Sequence, residues 1–385
     1  MPSFALSVET VFGDGCIAEL GQRAKARGYK HALIVTDPGI RAAGILDSIM
    51  ASLDEQGVAH SVYDNVTPNP TVPEVDGGVR AMKDSGADFV IGVGGGSAID
   101  AAKGVAVTSA MGGETSKMYL FGAGTVPFPN QRKPLFAIPT TCGTGSEISP
   151  AAVITDPETH YKHLMLNCTP DIAILDPILV AKMPAPITAA TGMDALTHAI
   201  EAYVNPGNTP FTRMFATRAI QQISVHLRQA VNGPDRPGAL RNMLYAADIA
   251  GQSMSQGLGQ VHGLSHVVSG RLGTAHGVAN AILLSQVLEY HNEFLAPQLL
   301  EIAPLMGINA VGMPAKQAAK EVVAQVRALR DEIKIPSKLS DPSVGMKESD
   351  VAQFVDDAQK SQGIFIAAPK PATAEDLAAI YKSAL

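Results

Sequence analysis

Asp88-Phe-Val-Ile-Gly-Val-Gly-Gly-Gly-Ser-Ala-Ile-Asp100 is the stretch on which the fold turns. Asp88–Val93 is a short apolar run of the kind that forms a buried strand. Gly92–Asp100 is a glycine-rich turn that opens a helix. Glycines at such a turn let backbone approach a pyrophosphate, and the helix N-terminus offers N–H groups and the positive end of a dipole. A tight turn with no ligand has the same composition, so this segment alone does not settle the matter. It also departs from the usual dinucleotide fingerprint, which carries an acidic residue about 20 positions after its glycines. Here the acidic candidate, Asp37, lies upstream.

Working outward, His31–Asp37 and Pro134–Pro139 read as further buried strands. Helical patterns near 15–27, 40–56, 73–85 and 98–110 lie between or beside them. This alternation predicts a parallel sheet with helices on both faces. Ala152–His160 reads as a strand entering a turn, and Asp171–Asp176 as one more strand. After Met183-Pro-Ala-Pro186 the pattern becomes helical to the C-terminus. The reading is therefore a Rossmann-like nucleotide-binding α/β domain at 1–184 and an all-helical domain at 185–385.

A second polar loop, Pro139-Thr140-Thr141-Cys-Gly-Thr144-Gly-Ser-Glu147, follows a strand. Either it cradles phosphate or ribose, or it is a Ser/Thr-rich turn. Two such loops at strand C-termini support one another, because ligands of open α/β sheets bind at that edge. Asp37 can accept both hydroxyls of an adenine ribose and would repel a 2′-phosphate, favouring NAD over NADP. Its plainer role is a turn-forming Asp before Pro38.

The chain has 385 residues, 46% hydrophobic and 17% charged, with a net charge of −7. Two domains are expected at this length. The acidic balance argues against a nucleic-acid partner. No apolar run reaches the roughly 18 residues of a membrane span, and Met1–Leu6 shows no export signal. Three scattered cysteines make neither a disulfide framework nor a zinc site. The expected compartment is the cytoplasm.

Three of the ten histidines fall within fifteen residues: His262, His266 and His276. The first two are spaced i, i+4, one helix face. Upstream, Thr191–Tyr203 reads as a helix carrying Asp194 and His198, also i, i+4, among Ala, Leu and Ile. A carboxylate on such a face is costly unless paired or coordinating. Asp194 with His198, His262 and His276 forms an O/N₃ donor set suited to Fe²⁺ or Zn²⁺ rather than Ca²⁺ or Mg²⁺. Any one of these histidines alone would read as structural.

Four segments together resemble the iron-containing (group III) alcohol dehydrogenases, the family of lactaldehyde reductase and propanediol dehydrogenase. They are Gly94–Asp100, Thr140–Glu147, Ala190–Tyr203 and His276–Leu284. The resemblance spans essentially the whole chain. It implies a dehydroquinate-synthase-like fold, with a nucleotide-binding domain, a helical metal-binding domain and the active site in the cleft between them. It implies one divalent metal, Fe²⁺ first and Zn²⁺ as the alternative, on Asp194, His198, His262 and His276, and a proton-relay role for His266. NAD(H) contacts carry over to Asp37, Asn69, Gly95, Gly96, Ser97, Thr140, Thr141, Thr144, Lys162 and Leu179. Of these, Asn69, Lys162 and Leu179 follow from the resemblance alone.

The implied activity is hydride transfer between nicotinamide and a small primary alcohol or aldehyde, by a homodimer or larger homo-oligomer. The alternatives are an NAD-dependent lyase or cyclase of the dehydroquinate-synthase kind, or a hydroxyacid–oxoacid transhydrogenase. On the substrate side the chain departs from the family: Met254, Arg271 and Leu272 stand where aromatics are common, Ile364 where a Cys occurs, and Ser149 at an often bulky position. Arg271 raises the expectation of an anionic group on the substrate; the competing reading is an ordinary salt bridge.

Overall fold

Six short strands lie side by side in the order β1-β8-β5-β4-β2-β3, every neighbouring pair parallel. They are β1 (Glu9–Phe12), β2 (His31–Val35), β3 (Ala59–Tyr63), β4 (Phe89–Gly94), β5 (Leu135–Pro139) and β8 (Ile172–Leu175). Strands β6 (Ala152–Thr155) and β7 (Lys162–Met165) form a separate antiparallel pair. The computed structural model describes residues 7–117, 131–360 and 368–385. Ile364 and the N-terminal Met1–Leu6 lie outside the described residues.

Successive side chains of a strand point to opposite faces, and the two faces of this sheet carry separate cores. Leu33, Val35, Val90 and Leu135 pack with Val75 and Met82 of α4 (Val72–Ser85) and with Ala101, Ala102 and Val105 of α5 (Gly96–Met111). Ala32, Ile34, Phe89, Ile91 and Phe136 pack with Leu20 and Ala24 of α1 (Leu20–Ala26) and with Ile49 and Leu53 of α3 (Leu46–Glu55). Helices thus cover both faces, as the alternation predicts. The helical pattern expected over 40–56 is broken into α2 (Pro38–Ala42) and α3, with a turn at Gly44. The sequence reading did not identify β1, β3 or β7.

Capping residues fix where these helices begin. Thr71 and Glu74 form a capping box at the start of α4, and the Asp37 carboxylate accepts from Ile40 N at 3.0 Å to cap α2. Buried Asp176 caps the short α6 (Pro177–Val180) through Ile178 N and also accepts from Gly15 N and Ile17 N.

The second unit takes up at Met183 and also includes Cys142–Thr144. Its helices are α7 (Ala185–Val204), α8 (Pro210–Asn232), α9 (Arg236–Ser253), α10 (Gln260–Leu272), α11 (His276–Tyr290), α12 (Asn292–Ile302), α13 (Ala315–Glu332), α14 (Val351–Lys360) and α15 (Ala374–Ser383). Among its described residues there is no strand. Helix α7 is buried along nearly its whole length, which makes it the axis of this unit. The buried Tyr381 hydroxyl of α15 donates to Leu264 O at 2.9 Å, fastening the C-terminal helix to α10. No described helix is long and apolar enough to cross a membrane.

Candidate active site

In the α/β unit, strand order reverses between β2 and β4, so their carboxyl ends flank the topological switch point where such sheets bind ligands. Asp37 follows β2 there, and Gly94–Ser97 joins β4 to α5. Gly94 has φ 144°, and a Cβ on it would stand 2.7 Å from Ala98 Cβ and 3.3 Å from Asp37 Oδ2, so no side chain is tolerated. No side chain caps the N-terminus of α5 at Gly95, which suits an anionic ligand. Thr140 N donates to Gly94 O at 2.9 Å, and the Thr141 side chain packs against Gly95. Asn69, in left-handed conformation (φ 61°), donates its N–H to Ser97 Oγ at 3.2 Å and accepts from Lys162 Nζ at 2.7 Å. Residues from three distant segments are thereby joined. Leu179 lies in α6, half-buried against the sheet core, and Thr144 belongs to the helical unit.

In the helical unit, α7 presents Asp194, His198 and Glu201 at i, i+4 and i+7, while α10 and α11 bring His262, His266 and His276. Asp194 Oδ1 lies 3.5 Å from His262 Nε2, 3.5 Å from His276 Nε2 and 3.7 Å from His198 Nε2. The first three groups offer ligand atoms within 4.8 Å of one another. A tetrahedron with ligands at about 2.1 Å has edges of about 3.4 Å, so this spacing fits a metal of zinc or iron size. The His198 ring stacks on His262 at 4.5 Å between centroids, and His266 stands 4.9 Å from His276.

Hydrogen bonding tests the fit independently. The fully buried Asn280 points Nδ2 at Asp194 Oδ1 (2.7 Å), His276 Nε2 (3.1 Å) and His262 Nε2 (3.2 Å). The amide donates to Asp194 Oδ1, and each histidine Nε2 accepts from it only where that nitrogen carries no proton. Among the described residues, no donor reaches Asn280 Oδ1. A carboxylate oxygen ringed by three imidazole nitrogens is a donor set that a cation satisfies.

Burial opposes the charge of Asp194, yet His198, His276 and the hydrogen bond with His262 hold its carboxyl far below the usual range. Burial lowers His198 to about 4, against the pull of Asp194. For His262 burial also opposes charge, but Glu201 and Asp194 outweigh it and lift the ring to about 9. A proton on an imidazole nitrogen that faces Asp194 and a metal ion at the same nitrogen would compete for one lone pair.

The structure pairs Arg271 Nε with the buried Asp357 Oδ2 at 2.7 Å, and Gln353 donates to the same carboxylate. Its charge is met within the protein, as the salt-bridge reading has it. Ser149 accepts from the fully buried Lys103 Nζ at 2.9 Å. Met254 opens a short 3₁₀ turn after α9. Sequence reasoning assigned no role to Glu201, Asn280 or Lys103. Glu201 lies one helical turn beyond His198, which is the one signal that was legible; the others depend on partners far along the chain.

Residues 7–177 match the family model described as iron-containing alcohol dehydrogenase, and residues 188–385 match its C-terminal counterpart. Lactaldehyde reductase of Escherichia coli (strain K12) is 36% identical over 97% of each chain. The NAD-dependent methanol dehydrogenase of Bacillus methanolicus is 35% identical over the full length of both. A solved structure of 1,3-propanediol oxidoreductase superposes with a TM-score of 0.92 at 35% identity, covering 100% of both chains.

Proposed function

This chain belongs to the iron-containing alcohol dehydrogenase family, and from that premise we propose that it is a metal-dependent, NAD(H)-linked dehydrogenase interconverting a short primary alcohol and its aldehyde. The observation that carries the reading is Asp194 Oδ1 surrounded by three imidazole nitrogens at 3.5–3.7 Å. In this reading Asp194, His198, His262 and His276 hold one divalent metal, Fe²⁺ or Zn²⁺. The dinucleotide is held by Asp37, Asn69, Gly95, Gly96, Ser97, Thr140, Thr141, Thr144, Lys162 and Leu179.

When bound, the metal supplies Lewis acidity to the substrate oxygen, and the dinucleotide supplies the two-electron acceptor for the carbinol hydride. The chain's own residues do the rest. The uncapped start of α5 would hold the pyrophosphate, with Asn69 and Lys162 supporting that turn through Ser97. Asp37 directs one oxygen at its own helix and leaves the other for ribose hydroxyls, which disfavours a 2′-phosphate. Burial of Asp194 and His262 strengthens their hold on a cation by excluding water. His266 takes up, at a ring nitrogen, the proton that alcohol oxidation releases. The Arg271–Asp357 ion pair supports a neutral alcohol or aldehyde as substrate over an anionic one. The protein works as a homodimer or larger oligomer in the cytoplasm.

The test is an alcohol and aldehyde panel followed by NADH absorbance, on protein stripped of metal and reloaded with Fe²⁺ or Zn²⁺. Activity should vanish on stripping and return on reloading. Activity indifferent to metal, or a reaction with no net NADH change, refutes the reading.

A further inference from the structure

Glu201 is 6% exposed and lies on the face of α7 that carries Asp194 and His198. Its carboxylate accepts from Val261 N at 2.6 Å, Gly259 N at 3.1 Å and His262 Nδ1 at 2.5 Å. The first two donors belong to the opening turn of α10, whose N-cap, Gly259, has no side chain to do this work. Glu201 therefore caps α10 from another helix, 58 residues away along the chain. The fit is close: a Cβ on Gly259 would stand 2.6 Å from Glu201 Oε1.

The third contact carries chemistry. An ionised carboxylate only accepts hydrogen bonds, so His262 must donate from Nδ1. In the neutral imidazole that leaves the lone pair on Nε2, the nitrogen 3.5 Å from Asp194 Oδ1. We infer that Glu201 is a positioning residue for the metal: it selects the His262 tautomer that ligates through Nε2 and fixes the register of α10 against α7. The inference rests on the metal reading of Asp194, His198, His262 and His276. A single helix then supplies two ligands and the group that aims a third, so α7 and α10 cannot shift without disturbing the centre.

The experiment compares wild type, Glu201→Gln and His262→Ala, stripped of metal. Zn²⁺ affinity is measured by chelator competition, and the visible spectrum is recorded at saturating Co²⁺. Glu201→Gln should bind Zn²⁺ about 10–100-fold more weakly and show displaced cobalt bands, with NAD⁺ affinity kept as evidence of a folded chain. Glu201→Asp, which keeps the charge but withdraws it by one methylene, is read the same way should the amide variant not fold. A lowered melting temperature with unchanged Zn²⁺ affinity and an unchanged cobalt spectrum would reduce Glu201 to a helix cap and overturn the inference. If His262→Ala binds Zn²⁺ as tightly as wild type, the metal reading itself fails and takes the inference with it.

Discussion

In the α/β unit, the buried Lys103 ammonium donates to Ser149 O, Ser149 Oγ and Ala151 O, three acceptors for three hydrogens. Asp100 stands 3.8 Å away and accepts from Ser146 Oγ and Val153 N. In the helical unit, the equally buried Asn280 amide faces Asp194 Oδ1 and the Nε2 atoms of His262 and His276, and no described donor meets its oxygen. Both clusters combine charge with burial, which sequence composition cannot distinguish. They differ in whether donors and acceptors balance. A balanced cluster is complete and braces the fold; a carboxylate ringed by imidazole nitrogens, with an amide oxygen unmet beside it, suits a cation. The difference separates structural from functional polarity more sharply than burial does.

The largest expected effect tests the unbalanced cluster. His262→Ala should lower kcat/KM by on the order of 10³ or more, since Lewis-acid stabilisation is worth several kcal/mol. Retention of a tenth of the activity would place the chemistry elsewhere. For the balanced cluster, Lys103→Met leaves Asp100 buried without its counter-charge, and should cost about 3–5 kcal/mol in denaturant unfolding. Adding Asp100→Asn should recover part of that loss, while Zn²⁺ affinity stays unchanged throughout. A change in Zn²⁺ affinity would break the division between the two clusters.

Asp248 of α9 sharpens the comparison, being a buried carboxyl with one oxygen that no described donor meets. Burial pushes it up to about 7, against a smaller opposing hydrogen bond from Gln252. A folded pKa above the unfolded 3.8 means the folded state binds more protons between those values, so this residue lowers stability as pH rises from about 4 to 7. Asp248→Asn should flatten that slope and add on the order of 2 kcal/mol at pH 8, with little change at pH 4. Melts at both pH values test it; equal shifts at the two would discount titration of Asp248. The smallest effect concerns Arg271, whose partner Asp357 makes it a second self-contained pair. Arg271→Gln should change kcat/KM for acidic and neutral aldehydes by the same factor. A selective loss on acidic aldehydes would reopen it as a substrate contact.

Legibility followed the same division. Strands β2, β4 and β5 are apolar runs buried at the centre of the sheet, and they read plainly. Strand β1 lies at an edge and buries only Val11 of its four residues, while β3 is another edge strand with His and Ser in it, so neither carries a strong periodic signal. Asn69 and Lys162 are isolated polar residues in loop and hairpin; only folding sets them against Ser97. Glu201 was visible as a residue on the right helix face, but its partners lie on α10.

The sequence by itself determined the two-part architecture, the glycine turn between β4 and α5 and the identities of four metal-ligand candidates. Hydrophobic period, glycine placement and i, i+4 spacing are local properties that survive without a fold. Only the tertiary structure decided that Glu201 meets His262 Nδ1, that Lys103 is satisfied by a distant loop and that Arg271 pairs with Asp357. Those are matters of donor–acceptor balance between segments far apart in the chain, and balance exists only once the segments meet.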